Sequence, residues 1–281
     1  MIPANFLGSI YALISAAVWG SGDFSGGLAA RKSHQYQVLM LAALSGMVIL
    51  VACSLVWGES FPSQNSILWG VMAGAAGALG MAALYHALSM GHTASVAPTS
   101  AITCAALPVL FGIITAGVPK YTQLGGFGLA FISIWLLTKT PASAEKIFKE
   151  AMLSAFLSGI GFGGFFIFIA QVDKGQVFTP ILVARTVTLF IALLMLRLKH
   201  IPLPALTSNL TAILAGVLDT SGNIFYLLAT QFTRLDVAAM LSSLYPAATV
   251  ILATLVLKEK VALAQWIGAA LCLVAVVLIT I

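Results

Sequence analysis

Charge is scarce in this chain: 7% of its 281 residues are charged and 60% are hydrophobic. Soluble domains carry about 25% charge, so no aqueous fold could clothe this surface and lipid is the expected solvent. The three cysteines, Cys53, Cys104 and Cys272, are scattered through apolar stretches without the paired spacing of a zinc or redox centre, and read as small core residues. No Gly-x-x-x-x-Gly-Lys-Ser/Thr segment occurs, which excludes direct drive by ATP. Gly159-x-Gly161-x-Gly163 lies in an apolar run and follows no strand, so it is no dinucleotide site. Four scattered histidines, with neither His-Glu-x-x-His nor Gly-x-Ser-x-Gly, leave no recognisable hydrolase centre. The chain is expected not to be an enzyme and to use no cofactor and no metal.

Long apolar runs are what the chain has. Ten of them, of about 17–24 residues, are each enough to cross ~30 Å of hydrocarbon as a helix. They cover residues 6–28, 36–57, 66–89, 94–116, 122–138, 150–171, 178–196, 209–230, 236–257 and 262–281. The connections are short, with no room for a soluble domain. The N-terminus lacks a basic n-region, so the first run reads as a retained helix and not a cleaved signal. The net charge of +5 sits in the loops, beside anionic lipid headgroups, with no aromatic-interleaved basic patch for nucleic acid.

The second half echoes the first. A shift of 142 positions brings Gly80 onto Gly222, Ser100 onto Ser242, Gln123 onto Gln265 and Gly126 onto Gly268, and a shift of 141 superposes Gly20-Ser21-Gly22 on Gly161-Phe162-Gly163. Five spans per half is an odd number, so the halves would enter from opposite sides of the bilayer. The expected architecture is therefore all-α and integral to the membrane: ten transmembrane helices as an inverted five-plus-five repeat, residues 1–140 and 141–281. Secondary transporters recurrently use this plan, with the solute at the midplane between repeats. Loops after odd-numbered spans hold nine Lys and Arg residues and loops after even-numbered spans hold three, which places the former in the cytoplasm and both termini outside.

Three charges break the pattern by lying inside the runs: Asp23, Arg185 and Asp219. Each costs roughly 2.5 kcal/mol or more in a bilayer, so each is a functional-site hypothesis. Asp219, Asn223 and Tyr226, spaced i, i+4, i+7, share one helix face, as a polar stripe lining a cavity or as interhelical glue. Trp19 and Asp23 are likewise i, i+4, an indole beside a carboxylate able to take an ammonium or a proton. Arg185 calls for Asp219 or Asp23 as a partner. Tyr85, His86 and Tyr245 could hydrogen-bond a solute from facing helices, His86 having a packing role as its alternative. The acid not paired with Arg185 is the expected coupling residue.

Trp19-Gly20-Ser21, the passage from Tyr85-His86-Ala87-Leu88 to Gly91-His92-Thr93-Ala94-Ser95-Val96-Ala97-Pro98, Ala184-Arg185, and Leu257-Lys258-Glu259-Lys260 with Gln265 and Gly268 resemble the EamA-type branch of the drug/metabolite transporter superfamily. The resemblance runs over nearly the whole chain in two copies. It implies ten helices in an inverted repeat and export of small metabolites, often amino acids, through a bacterial or archaeal inner membrane. One departure is Gly117-Val118-Pro119-Lys120, which lacks the glutamate that the second half keeps at Glu259. The expected partners are a small-molecule solute, protons and membrane lipid, with no nucleic acid, in a monomer or homodimer. A channel or a membrane scaffold is the alternative class, and an intramembrane enzyme built on His86 with Asp23 or Asp219 the remaining one.

Overall fold

A computed structural model describes residues 4–89, 93–138, 149–258 and 262–281. These residues form eleven helices: α1 (Ala4–Ala30), α2 (Gln35–Trp57), α3 (Gln64–Ser89), α4 (Thr93–Ala116), α5 (Tyr121–Thr138), α6 (Lys149–Ile169), α7 (Phe178–Leu198), α8 (Leu210–Phe232), α9 (Leu235–Ser242), α10 (Tyr245–Leu257) and α11 (Leu263–Thr280). No strand occurs among the described residues. With α9 and α10 taken together, nine segments are long and apolar enough to cross a membrane. At 27 residues α1 is also of membrane length. Helix ends follow local chemistry. His34 opens α2 through Nδ1, which accepts the Tyr36 N–H, while Gln37 accepts the His34 N–H at 3.1 Å. Asn209 caps α8 by accepting the Ala212 N–H, and Gly58, at φ 67°, closes α2 in the left-handed conformation that glycine adopts freely.

The expected ninth span, 236–257, is not one continuous helix. It breaks at Ser243 and Leu244 into α9 and α10. Pro246 is the cause: it has no N–H to offer the carbonyl four residues back, and its ring crowds that position. The chain bridges the gap with tighter bonds, Leu244 N–H to Leu241 O and Ala247 N–H to Leu244 O. From Asp236 to Ser242 every residue of α9 is buried, whereas α10 turns Leu255 and Val256 outward.

Packing is close because glycines let backbones meet. A Cβ at Gly216 of α8 would lie 2.2 Å from Ala42 O of α2, and one at Gly161 of α6 would lie 2.5 Å from Gly80 Cα of α3. Gly22 of α1 faces the Asp219 backbone, and Gly222 of α8 accommodates the Trp19 indole. Small residues at such crossings give van der Waals contact where lipid removes the hydrophobic drive. The principal pairings are α1 with α8, α3 with α6, α5 with α11, α4 with α6, α2 with α7 and α8, and α3 with α7.

Close contact at Gly216 leads to a direct test. Gly216→Val is expected to destabilise the protein by about 1–3 kcal/mol through overpacking against α2, read as a lower unfolding midpoint in detergent. An unchanged midpoint would show that α2 and α8 are free to move apart there.

Candidate functional site

Arg185, from the first half of α7, forms an ion pair with Asp219 in the middle of α8. The pair joins two helices that otherwise touch little. Its members differ in exposure: the Arg185 side chain is 11% accessible and that of Asp219 42%. The guanidinium thus lies behind the carboxylate, and what the site presents is acid.

Asp23 completes the charge set. It is exposed, and it makes no hydrogen bond or ion pair among the described residues. Asp219 and Tyr245 lie within electrostatic reach of it. Its exposure is informative because of the helix face it occupies. Ala12, Ala16, Trp19, Asp23, Gly27 and Ala30 recur at intervals of three and four and share one side of α1. Ala12 and Trp19 are buried in the main core and Ala16 is buried too, yet Asp23, Gly27 and Ala30 are exposed. The face that is core at one end of α1 is therefore open at the other, a vestibule leading to the end that carries Arg31. A Cβ at Gly27 would meet nothing within 4 Å.

One turn deeper the vestibule has a floor. The Trp19 indole N–H donates to Asp219 O at 3.1 Å and its ring stacks on Phe166 at 5.2 Å. Phe166 stacks in turn on Tyr226, whose hydroxyl donates to Phe166 O at 3.0 Å. Asn223 donates its amide to Asp219 O at 2.8 Å. Asn223 and Tyr226 are thus buried and engaged with backbone, and of the expected stripe on α8 only Asp219 reaches the open space.

Beyond the floor, the opposite end is sealed. Arg234 chelates Asp236, which is fully buried, through Nε to Oδ1 at 3.1 Å and Nη2 to Oδ2 at 2.8 Å. Its other N–H groups hold Ala116 O and Gly117 O, pinning α9 to the end of α4. Hydrogen bonding to Asp236 holds the Arg234 guanidinium further into its charged range. A second clamp joins the α2–α3 loop to the α6–α7 loop: Glu59 accepts the N–H groups of Val177, Phe178 and Thr179 at the start of α7. Asp173 accepts from Ser63 and from Asn65, and these bonds hold its carboxyl below the usual range.

The remaining expected residues are placed as follows. His86 is exposed in the last turn of α3, and Tyr245 is half-buried at the start of α10 with its carbonyl against Gly20. The Tyr85 side chain lies outside the described residues, as do Glu259 and Lys260. Asp23, Arg185, Asp219 and Tyr245 gather in one region, with Trp19 a turn deeper. Sequence reasoning missed the Arg234–Asp236 latch and the Glu59 cap. The only signal for the first was an acid two residues after a base at the head of an apolar run; the second spans more than a hundred residues and left none. A cavity of about 250 Å³ lies at the sealed end, lined by Asn5, Lys120, Gln123 and Arg234 among others, and holds none of the interior charges. It is a recess between helix ends, apart from the exposed stretch of α1.

The fold defines the class: a multi-pass helical membrane protein. Residues 149–281 match the model of the EamA-like transporter family, a family of membrane transporters. A solved crystal structure shares the fold over 96% of this chain and 95% of its own, with a TM-score of 0.76 at 16% identity. No curated protein matches the chain.

The latch makes a stability prediction. Arg234→Ala is expected to cost about 3–5 kcal/mol, because the buried Asp236 charge loses its partner. Thermal unfolding in detergent reads this out, and adding Asp236→Ala should recover part of the loss. A single variant as stable as wild type would show that the pair carries no net stabilisation.

Proposed function

We propose that the chain is a secondary transporter, an exporter of small polar metabolites such as amino acids, working by alternating access and coupled to protons. The observation that carries this reading is the vestibule on α1: three interior charges at one depth, open toward the Arg31 end and sealed by the Arg234 latch at the other. A channel would be expected to show rings of like residues around a continuous path, and here the polar groups are unevenly shared between the halves.

The inverted repeat, 1–140 with 141–281, is part of the proposal. Exchanging the halves maps the α1–α8 pairing onto α6–α3, α2–α8 onto α7–α3, and α4–α6 onto α9 and α10 with α1, while α5–α11 and α2–α7 map onto themselves. The superposable glycine doublets do similar work, Gly20 and Gly22 against α10 and α8, Gly161 and Gly163 against α3 and α4. Loop charge places the Arg31 end in the cytoplasm of a bacterial or archaeal inner membrane, and the open vestibule then faces inward. Asp23, the acid that Arg185 leaves unpaired, is the coupling residue; Asp219 is the acid that fixes Arg185.

Solute counterflow into proteoliposomes tests the reading. Asp219→Asn is expected to cut exchange by about tenfold or more, equivalent to ~1.4 kcal/mol, while the protein stays monodisperse in detergent. An imposed proton gradient is expected to drive wild-type uptake and to lose its effect in Asp23→Asn. Loss of folded protein in place of lost exchange would assign Asp219 to structure, and indifference of the wild type to the gradient would leave a facilitator.

A further inference from the structure

We infer that the group this site recognises on its solute is a cation, an ammonium or guanidinium of an organic molecule, and that Asp23 is the residue that selects it. The inference rests on the transport reading above and narrows its small polar metabolites to organic cations, in place of zwitterionic amino acids.

Within the apolar spans the charges are Asp23, Arg185 and Asp219, and every other Lys, Arg, Asp and Glu lies near a helix end or in a loop. Arg185 and Asp219 neutralise each other. One acid is left, Asp23, and it is the one ionisable group of the three with no partner among the described residues. A carboxylate at that depth with no partner of its own remains available to a counter-charge brought by the solute.

Position reinforces the count. A zwitterionic amino acid needs a receptor for its carboxylate, and the only interior base is 11% accessible behind an Asp219 carboxylate that is 42% accessible. The Trp19 N–H is already spent on Asp219 O, and the Asn223 amide on the same atom. An incoming carboxylate would therefore meet two acids, while the remaining N–H groups of Arg185 and Asn223 belong to buried side chains. An incoming cation meets Asp23, flanked by Asp219 and by Tyr245 at the start of α10. A bare metal ion is a poorer fit, because it needs several converging oxygen ligands, and no group of three metal-binding side chains occurs among the described residues.

Counterflow in proteoliposomes at fixed pH decides between these solutes, with agmatine and tetramethylammonium as cations, alanine as zwitterion and glucose as neutral probe. Wild type is expected to exchange the cations at least about tenfold faster than alanine or glucose, a discrimination of ~1.4 kcal/mol. Asp23→Glu should keep that preference, and Asp23→Asn should erase it. Preference for alanine or glucose, or a cation preference that survives in Asp23→Asn, overturns the inference and leaves the transport reading standing. A wild type silent toward every probe defeats the transport reading. Equilibrium binding of agmatine to the detergent-solubilised protein then decides alone: binding lost in Asp23→Asn supports the cation site, and no binding to wild type refutes it.

Discussion

A guanidinium inside a hydrocarbon layer must be met by a counter-charge or by water, and this requirement organises the centre of the protein. Arg185 is too far from the end of α7 for easy escape, and Asp219 meets it from α8. The pairing fixes the rotation of both helices, since each charged side chain must point at the other. With α8 so oriented, Gly216 turns toward α2 and Gly222 toward Trp19 of α1, and those contacts need glycine because a methyl group would overlap its neighbours. The position of α1 then puts Asp23 on the vestibule. One electrostatic demand, met at one place, sets the helix faces that define the site.

The two ends of the molecule are built from different materials. At the sealed end, helix termini from both halves exchange charged hydrogen bonds: Glu59 on the start of α7, Arg234 on the last carbonyls of α4. Helix N-termini carry partial positive charge and C-termini partial negative charge, so an acid on the first and a base on the second each match the field they meet. At the Arg31 end the described links between halves are mainly neutral, from Asn209 to Ala29 O and Gln37 to Pro202 O. The break between α9 and α10 adds a joint just below the latch, at the level of Tyr245. A discontinuous helix at a site's depth provides a short element that can swing without bending a whole span.

Much of the fold was legible in the sequence because lipid imposes a single periodicity: runs of apolar residues about as long as a bilayer is thick. All ten runs coincide with helices to within a few residues, and the one error of continuity, at Ser243 and Leu244, falls beside a proline whose consequence depends on what its neighbours can re-bond. The site was legible as a list and less so as an arrangement. Asp23, Arg185 and Asp219 announce themselves by cost alone. That Asp219 and not Asp23 takes the arginine depends on helix rotation, which a span's sequence does not specify when nearly every face is apolar. For the same reason Asn223 and Tyr226, on the correct face of α8, turn inward to backbone carbonyls and not to the open space. The polar residues at the sealed end are illegible for a different reason: they act across loops distant in sequence, and loop charge by itself reads as lipid contact.

With the Arg31 end in the cytoplasm, as proposed, the single unpaired acid acquires an energetic meaning. An inside-negative membrane opposes the outward movement of a cation, at about 2.3 kcal/mol per charge for each 100 mV. A carrier that took a monovalent cation outward and returned empty would work against that field in every cycle. If the same carboxylate carries a proton back, one positive charge crosses in each direction and the cycle is electroneutral, so the potential drops out and only the two concentration gradients remain. This exchange requires that solute and proton compete for one group, which an acid with no internal partner allows and a salt-bridged acid does not. Asp219 is committed to Arg185, and a proton there would strand the guanidinium. Asp23 has no such commitment, and in the proposed cycle the separation of one paired acid from one unpaired acid would let the site be held by the first while the second changes occupant.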